Sequence, residues 1–587
     1  MTRGNSSASQ RAFLLIPSLF LASCLLAVRC FEFAPSAEGL RDPGDSAISE
    51  AANVTPTATA IRSPGPEPGG RGQCEGSPPL PLASHWTPYD RRYPNRTTPN
   101  WQLEQMDRGH HWLLSFDMGR FHEPWDDWAE SYFRPAIDEA RRRRIPIALL
   151  GTQWERVLYE EPRWKDLPPE RSPLVLDPSG RLLPAVSPYG AVEPWAEAGA
   201  AWAQGQVFIR LQELYPDPPF VVIVSNNESK KLNPYRAEES LRYRERYGRW
   251  SGRDTQRRVL GDGYIERFRA LVEGMRSNLT AWRNRSIIIG WGGTNIGIGY
   301  GLRWKWHNLP NSGVPVPGRL NIFPFSWDGI SSRYYFFNVG GNKSEDYTLR
   351  SPHVRIMQMP LDTDFACEHN PDYYWEVSTW FDPVFVERIE KEDDVSPLDR
   401  HSGATKWGMW IARPRVVRDF SYGKQNLPEY EANLRRVMDA VDEIHEDADL
   451  SSFWRSSEIV RNTRRSHPYS THIPKEYRGV DRWLGLDTNL DPGGLWGHGT
   501  EIPVWALARV QGSPGSRRWL VYVQSPRRER SAVEVRVPEL GPLSVRALPA
   551  GCYYVAREGD RSLRSVGRNR ADCSPPSGLG PPNTQRD

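Results

Sequence analysis

The feature that most constrains this chain is an alternation between short apolar runs and longer stretches of helical periodicity. The runs lie at 111–118 (HWLLSFDM), 145–150 (IPIALL), 220–225 (FVVIVS), 286–290 (SIIIG), 319–325, 373–379 and 405–411, with a short, weak candidate at 174–176. Most show little polar–apolar alternation, as expected of parallel strands covered on both faces. Between the first two runs, Trp128, Tyr132, Phe133, Ile137 and Ala140 fall near a helical spacing, and Pro135 is expected to interrupt that helix. Further amphipathic helices are predicted over 193–215 and 264–275. About eight strand–helix units in one stretch predict an α/β fold, a closed (β/α)8 or TIM barrel. An open doubly wound sheet is the alternative.

After residue 416 the texture changes. A helix is predicted over 430–445, followed by short strands at 504–510, 519–524, 533–537 and 552–556, which read as a small all-β, sandwich-like domain. The division expected is a signal peptide or anchor (1–30), a disordered Pro/Gly/Ser-rich linker (31–83), the catalytic barrel (84–420), a helical connector (421–495), the β module (496–560) and a disordered tail (561–587).

Arg3 and Arg11 precede an apolar run at 13–28 that is short for a membrane span. It fits an export signal, with membrane anchoring through the same segment as the alternative. Asn-x-Ser/Thr sequons at Asn53, Asn95, Asn227, Asn278, Asn284 and Asn342 agree with a secreted or extracytoplasmic glycoprotein. Past the leader, Cys74, Cys367, Cys552 and Cys573 could pair in an oxidising compartment, with Cys552 and Cys573 nearest in sequence. The net charge of +3 comes from 75 basic and 72 acidic residues, with no strongly basic domain, so nucleic acid is not an expected partner. Arg141 to Arg144 read as a solvated helix end.

Two segments carry chemistry. Ser225-Asn226-Asn227-Glu228 follows the run FVVIVS, and barrels place catalytic residues at the carboxyl ends of their strands. Glu376 lies inside the aromatic run YYWEVSTWFD at 373–382. A carboxylate embedded in such a strand points inward or toward the barrel mouth, and is costly unless paired or functional. Two carboxyl groups on opposite sides of a glycosidic bond are what its hydrolysis needs. Counting strands along the chain puts FVVIVS fourth and YYWEVST seventh.

Asn-Glu after a fourth strand with Glu on a seventh resembles the large clan of retaining (β/α)8 glycoside hydrolases. The resemblance covers about 84–420 and implies Glu228 as acid/base, Asn227 as contact to the sugar 2-hydroxyl and Glu376 as nucleophile. In that clan a sixth-strand aromatic hydrogen-bonds the nucleophile, a role implied for Tyr334 or Tyr335. A small β-sandwich often follows such barrels. Other strand ends offer substrate-binding candidates: Asp117, Trp154, Trp291, Trp327 and Trp380. The expected partner is a carbohydrate, and the alternative function is a non-catalytic carbohydrate-binding barrel.

Competing chemistries lack their signatures. Gly292 to Gly301 lacks GxGxxG spacing, and no GxSxG, HExxH or Cys-x-x-Cys occurs. His110-His111 and Glu368-His369 have no evident third metal ligand. No metal or other cofactor is expected.

Overall fold

A computed structural model describes Cys74 and residues 78–86, 98–118, 122–152, 154–226, 239–248, 253–292, 323–333, 351–357, 359–380, 395–420, 428–462, 483–492 and 500–574. The apolar runs build a sheet of eight parallel strands: β1 (Leu82–Trp86), β2 (Leu114–Met118), β3 (Ile147–Thr152), β4 (Val221–Asn226), β5 (Ser286–Gly292), β6 (Gly329–Arg333), β7 (Tyr374–Thr379) and β8 (Val416–Phe420). Each pairs with its sequence neighbour, and β8 returns to pair with β1. The seam between β1 and β2 is held by Ala83 N donating to His111 O and Leu113 N donating to Ala83 O, both at 2.9 Å.

The register identifies the architecture. Met118 pairs with Gly151, which leads in turn to Ser225, Gly290, Ile330 and Trp375. Extended one position through Arg415, Pro81 and back to β2, the row arrives at His110. The drop from Met118 to His110 is a shear of eight, the value for a (β/α)8 barrel. The open-sheet alternative is thereby excluded.

Several expectations are corrected. The first strand is Leu82–Trp86, not 111–118, and its start falls inside the stretch read as linker. Its short sequence LASHW carries Ser84 and His85 and so lacks an apolar run. The candidate at 174–176 pairs antiparallel with Leu182–Val186, in a hairpin apart from the barrel. One missed strand and one surplus strand cancel, so FVVIVS remains fourth. The expected sixth strand at 319–325 ends in a helical turn, Phe323–Ser326, where Pro324 could not donate to a ladder; β6 follows it. The expected eighth strand at 405–411 lies within a helix, Pro397–Ala412. That helix is buried almost all round, so its sequence reads as one apolar run without a polar face.

On the outside of the sheet, α1 (Pro99–Asp107) precedes β2 and α2 (Asp127–Arg143) follows it. Asp126 caps α2 by accepting from Ala129 N at 3.0 Å, and Arg144 closes it in the left-handed region at φ 57°. Pro135 sits inside α2 without dividing it. The helical region 193–215 is two helices, α3 (Glu193–Ala203) and α4 (Gln206–Leu214), with Gly205 between them. Helix α5 (Arg253–Asn278) packs along α3, α6 (Met359–His369) precedes β7, and α7 is Pro397–Ala412. Outward strand residues such as Phe116, Leu149, Ile223, Ile288 and Val377 join these helices in one apolar core.

The expected helical connector contains α8 (Pro428–Glu446) and α9 (Ala448–Ser456). The β module comprises β9 (Trp505–Gln511), β10 (Arg518–Gln524), β11 (Arg530–Val537), β12 (Gly541–Ala547), β13 (Cys552–Arg557) and β14 (Asp560–Val566). They form two antiparallel sheets, joined at their edges by the short strands Glu458–Ile459 and Asp487–Thr488. Strand β14 corrects the expected disordered tail from 561: it pairs with β13 in spite of its charged sequence DRSLRSV. The module rests on α7. Tyr522 donates to Gly403 O at 2.6 Å, Arg509 to Trp410 O at 2.7 Å, and Trp410 Nε1 to Tyr553 Oη at 2.9 Å. A Cβ at Gly403 would collide with the Gln524 side chain and the Pro549 carbonyl, so this contact requires glycine.

Two disulfides are present, Cys552–Cys573 and Cys74–Cys367, which accords with an oxidising compartment. Among the described residues no helix is long and apolar enough to cross a membrane. The apolar run at 13–28, expected to be an export signal or anchor, lies outside them.

Candidate functional site

Alternate residues of each barrel strand face the interior, and the shear raises each strand about one residue relative to its neighbour. The interior therefore stacks in tiers. The lowest holds Leu82, Leu113, Val222, Ile287, Tyr374 and Val416. The middle holds Ser84, Ser115, Ala148, Val224, Ile289, Ser331, Glu376 and Arg418. At the carboxyl-end rim lie Trp86, Asp117, Leu150, Trp291, Ser378 and Phe420.

Glu376 points inward, one of the two orientations expected, but from the middle tier and with no exposed area. Arg418 grips it with both faces of its fork: Nε donates to Oε2 at 3.0 Å and Nη2 donates to Oε1 at 2.8 Å. Tyr374 donates its hydroxyl to Oε1 at 2.8 Å. The third guanidinium nitrogen of Arg418 donates to Ser84 Oγ at 2.8 Å and Ser115 Oγ at 3.0 Å. These two hydroxyls are 2.7 Å apart. One cation thus ties β7, β8, β1 and β2 together at mid-height. A bidentate, fully satisfied pair is the form in which a buried carboxylate is tolerated. Burial, reinforced by the neighbouring Glu376 carboxylate, raises the Tyr374 phenol well above its usual range, so it stays a donor.

Asp117 stands at the rim next to last in β2, on the inward face it shares with Leu113 and Ser115. It is 5% exposed and its carboxylate has no hydrogen-bond partner among the described residues. Burial raises its carboxyl well above the usual range, against the opposing pull of the Arg418 cation.

Around it the rim is aromatic. Trp291 stacks on Phe420 with ring centres 5.9 Å apart and lies 6.1 Å from Trp86. Trp380, directly after β7, meets Phe420 edge-on at 5.5 Å. The rings come from the carboxyl ends of β5, β8, β1 and β7.

The structure therefore brings together Asp117, Trp291, Trp380 and, below them, Glu376. Trp154 and Trp327 are placed elsewhere. Trp154 lies behind the sheet, its indole donating to Val224 O at 3.0 Å and packed 4.5 Å from Trp202. Trp327 packs on Phe268 of α5 at 5.2 Å, in the helix-side core. Both follow strands but turn outward, so they correct the expectation that they line the mouth. Asn227, Glu228, Tyr334 and Tyr335 lie outside the described residues. Among the described residues, Tyr374, two residues from Glu376 on the same strand, donates its hydroxyl to Glu376 Oε1.

Sequence reasoning missed Arg418, Ser84, Trp86 and Phe420, all on β1 and β8, two of the three strands it misplaced. Arg418 carried the same signal as Glu376, a charge inside an apolar strand (VVRDF). Among the described residues no group of three or more His, Cys, Asp or Glu side chains could hold a metal ion. His110 and His111 instead share Asp442 of α8, at 2.6 and 3.0 Å.

No family model matches the sequence, and no curated protein matches it. Solved structures with a similar course of chain include a GH36 α-galactosidase from Geobacillus stearothermophilus in complex with raffinose. Its TM-score is 0.33 at 10% identity, over 84% of this chain and 55% of that one, so this chain spans about half its length. A GH30 endoxylanase from Clostridium papyrosolvens gives a TM-score of 0.31 at 8% identity, over 84% of this chain and 97% of that one. The catalytic domain of a GH26 endo-β-1,4-mannanase from Bacillus sp. JAMB-750 gives 0.33 at 10% identity, over 62% and 86%.

Proposed function

We propose that this chain is an exported glycoside hydrolase cleaving O-glycosidic bonds of an oligo- or polysaccharide at the carboxyl-end mouth of its barrel. The observation that carries the reading is Glu376 on the seventh strand, turned into the barrel and held by Arg418 and Tyr374 below a rim of aromatic rings. Aromatic faces are the surfaces on which sugar rings pack, and the fixed carboxylate supplies one of the two groups the reaction needs.

In the retaining form of this chemistry Glu376 attacks the anomeric carbon. Glu228, following the fourth strand, protonates the leaving oxygen and then activates water. Arg418 fixes the attacking carboxylate, and the Tyr374 hydroxyl orients Oε1. Because Glu376 has no exposed area, substrate has to reach it from the rim, past Trp86, Trp291 and Phe420. Retention requires the two carboxyl groups about 5 to 5.5 Å apart in the working complex.

The test is a hydrolysis screen over diverse glycans with the full-length chain, followed by NMR of the first-formed anomer. Glu228→Gln and Glu376→Gln should each lower turnover by at least about 10³-fold while sugar binding persists. Full turnover in either variant removes that residue from the mechanism. An inverted product removes the double displacement.

A further inference from the structure

We infer that Asp117 is the group that reads the substrate at the barrel mouth, taking one ring hydroxyl of a neutral sugar as its hydrogen-bond partner. This rests on the glycoside hydrolase reading and names a residue that decides specificity within the same site.

The argument starts from satisfaction. Among inward polar groups of the two upper tiers, Glu376, Arg418, Ser84 and Ser115 are all engaged with one another, and Ser331 lies 3.4 Å from Ser378. Asp117 is the exception among those described: 5% exposed, on the same inward face of β2 as Ser115, with no hydrogen bond to a described residue and its carboxylate oxygens not fully enclosed. Buried polar groups are paired as a rule, and one left open at a strand end of a barrel awaits a ligand.

Its surroundings select the ligand. Arg418 is its charged neighbour, with Glu376 and Tyr374 on the far side of that guanidinium. On β3 the register partner of Asp117 is Leu150, and the rim rings are Trp86, Trp291 and Phe420. The nearby cation disfavours an amino sugar, and the apolar walls disfavour an anionic one. A hydroxyl presented edge-on, with its ring against the aromatic faces, satisfies both constraints. Burial favours the protonated form of the Asp117 carboxyl, the form that can donate to that hydroxyl. Asparagine keeps the size and a donor of this form, whereas alanine keeps neither.

The test uses the full-length protein and a panel of p-nitrophenyl glycosides, with the monodeoxy analogues of whichever is turned over. Asp117→Ala should lower kcat/KM on the order of 10²–10⁴-fold, the penalty of a hydroxyl-reading site deprived of its partner. One monodeoxy sugar should suffer a similar loss with the natural protein and little further loss with Asp117→Ala. Asp117→Asn should recover much of the activity and remove any fall in kcat/KM with rising pH that Asp117 ionisation causes. A merely structural role would slow all deoxy analogues equally. If Asp117→Ala does not fold, Asp117→Asn with the deoxy series decides alone: an unchanged pH profile and an unchanged ranking of analogues overturn the inference. Unaltered kinetics in Asp117→Ala on a glycoside the natural chain hydrolyses overturn it too, leaving the parent reading intact. A natural chain that neither turns over nor binds any glycoside of the panel overturns the parent reading first, and this inference with it.

Discussion

The two halves of the barrel interior solve the same packing problem with opposite materials. On β3, β4 and β5 the lower and middle tiers are aliphatic: Ala148, Val222, Val224, Ile287 and Ile289. On β6, β7, β8, β1 and β2 the middle tier is Ser331, Glu376, Arg418, Ser84 and Ser115. The aliphatic half needs only volume and shape. The polar half needs every partner in place, because an orphaned charge in the interior costs far more than a lost methyl group. The half that is demanding to build is the half that leads up to Asp117 at the rim.

The largest expected effect strikes the seam of the polar half. A chain beginning at residue 84 loses Leu82, Ala83 and Cys74, and with them the β1 pairing and one disulfide. It should not form a cooperative barrel, and a sharp calorimetric unfolding transition from it would refute the weight given to β1. Next, Arg418→Met should destabilise by about 3–5 kcal/mol in urea unfolding, because Glu376 is left buried without its cation. The double variant Glu376→Met with Arg418→Met should regain most of this loss. In the aliphatic half, Ile289→Ala should cost about 2–5 kcal/mol, with no second-site charge change able to restore it. If the Arg418→Met loss persists in the double variant, the two halves do not differ as described.

The smallest effect has the opposite sign. The folded-state pKa of Asp117 is raised, so folding takes up a proton between the unfolded value near 3.8 and the higher folded one. Its contribution is fully present below the unfolded value and is lost as pH rises toward the folded one. Asp117→Asn should therefore raise stability at pH 7 and flatten its decline with pH. A destabilised Asp117→Asn at neutral pH would mean that the carboxylate has a partner.

These halves also explain what could be read from the sequence. The aliphatic strands β3, β4 and β5 were legible as IPIALL, FVVIVS and SIIIG, because a strand apolar on both faces stands out from its surroundings. In the polar half β1 (LASHW), β6 (GISSR) and β8 (VVRDF) were misplaced, because inward serines and an arginine break up the apolar run. Glu376 was found from the aromatics around it. Its partner Arg418 was hidden by the neighbouring helix α7, whose burial on all sides imitates a strand. The Trp154 and Trp327 errors have another cause. A tryptophan after a strand can turn toward the mouth or back against the helices, and sequence does not encode which.

The Cys74–Cys367 bond has a consequence for how the molecule is made. Strand β1 must wait for its partner β8 until the ribosome has delivered Val416, while one edge lies open to the wrong neighbour. The disulfide spans a sequence separation of 293 residues, against 21 for Cys552–Cys573. In the chain-entropy picture, a loop of that size removes about 5–6 kcal/mol of freedom from the unfolded chain, compared with about 3 for the short one. Cys367 precedes β8 in the chain, so under oxidising conditions the bond can fasten the start of the barrel near its late strands before the last of them is synthesised.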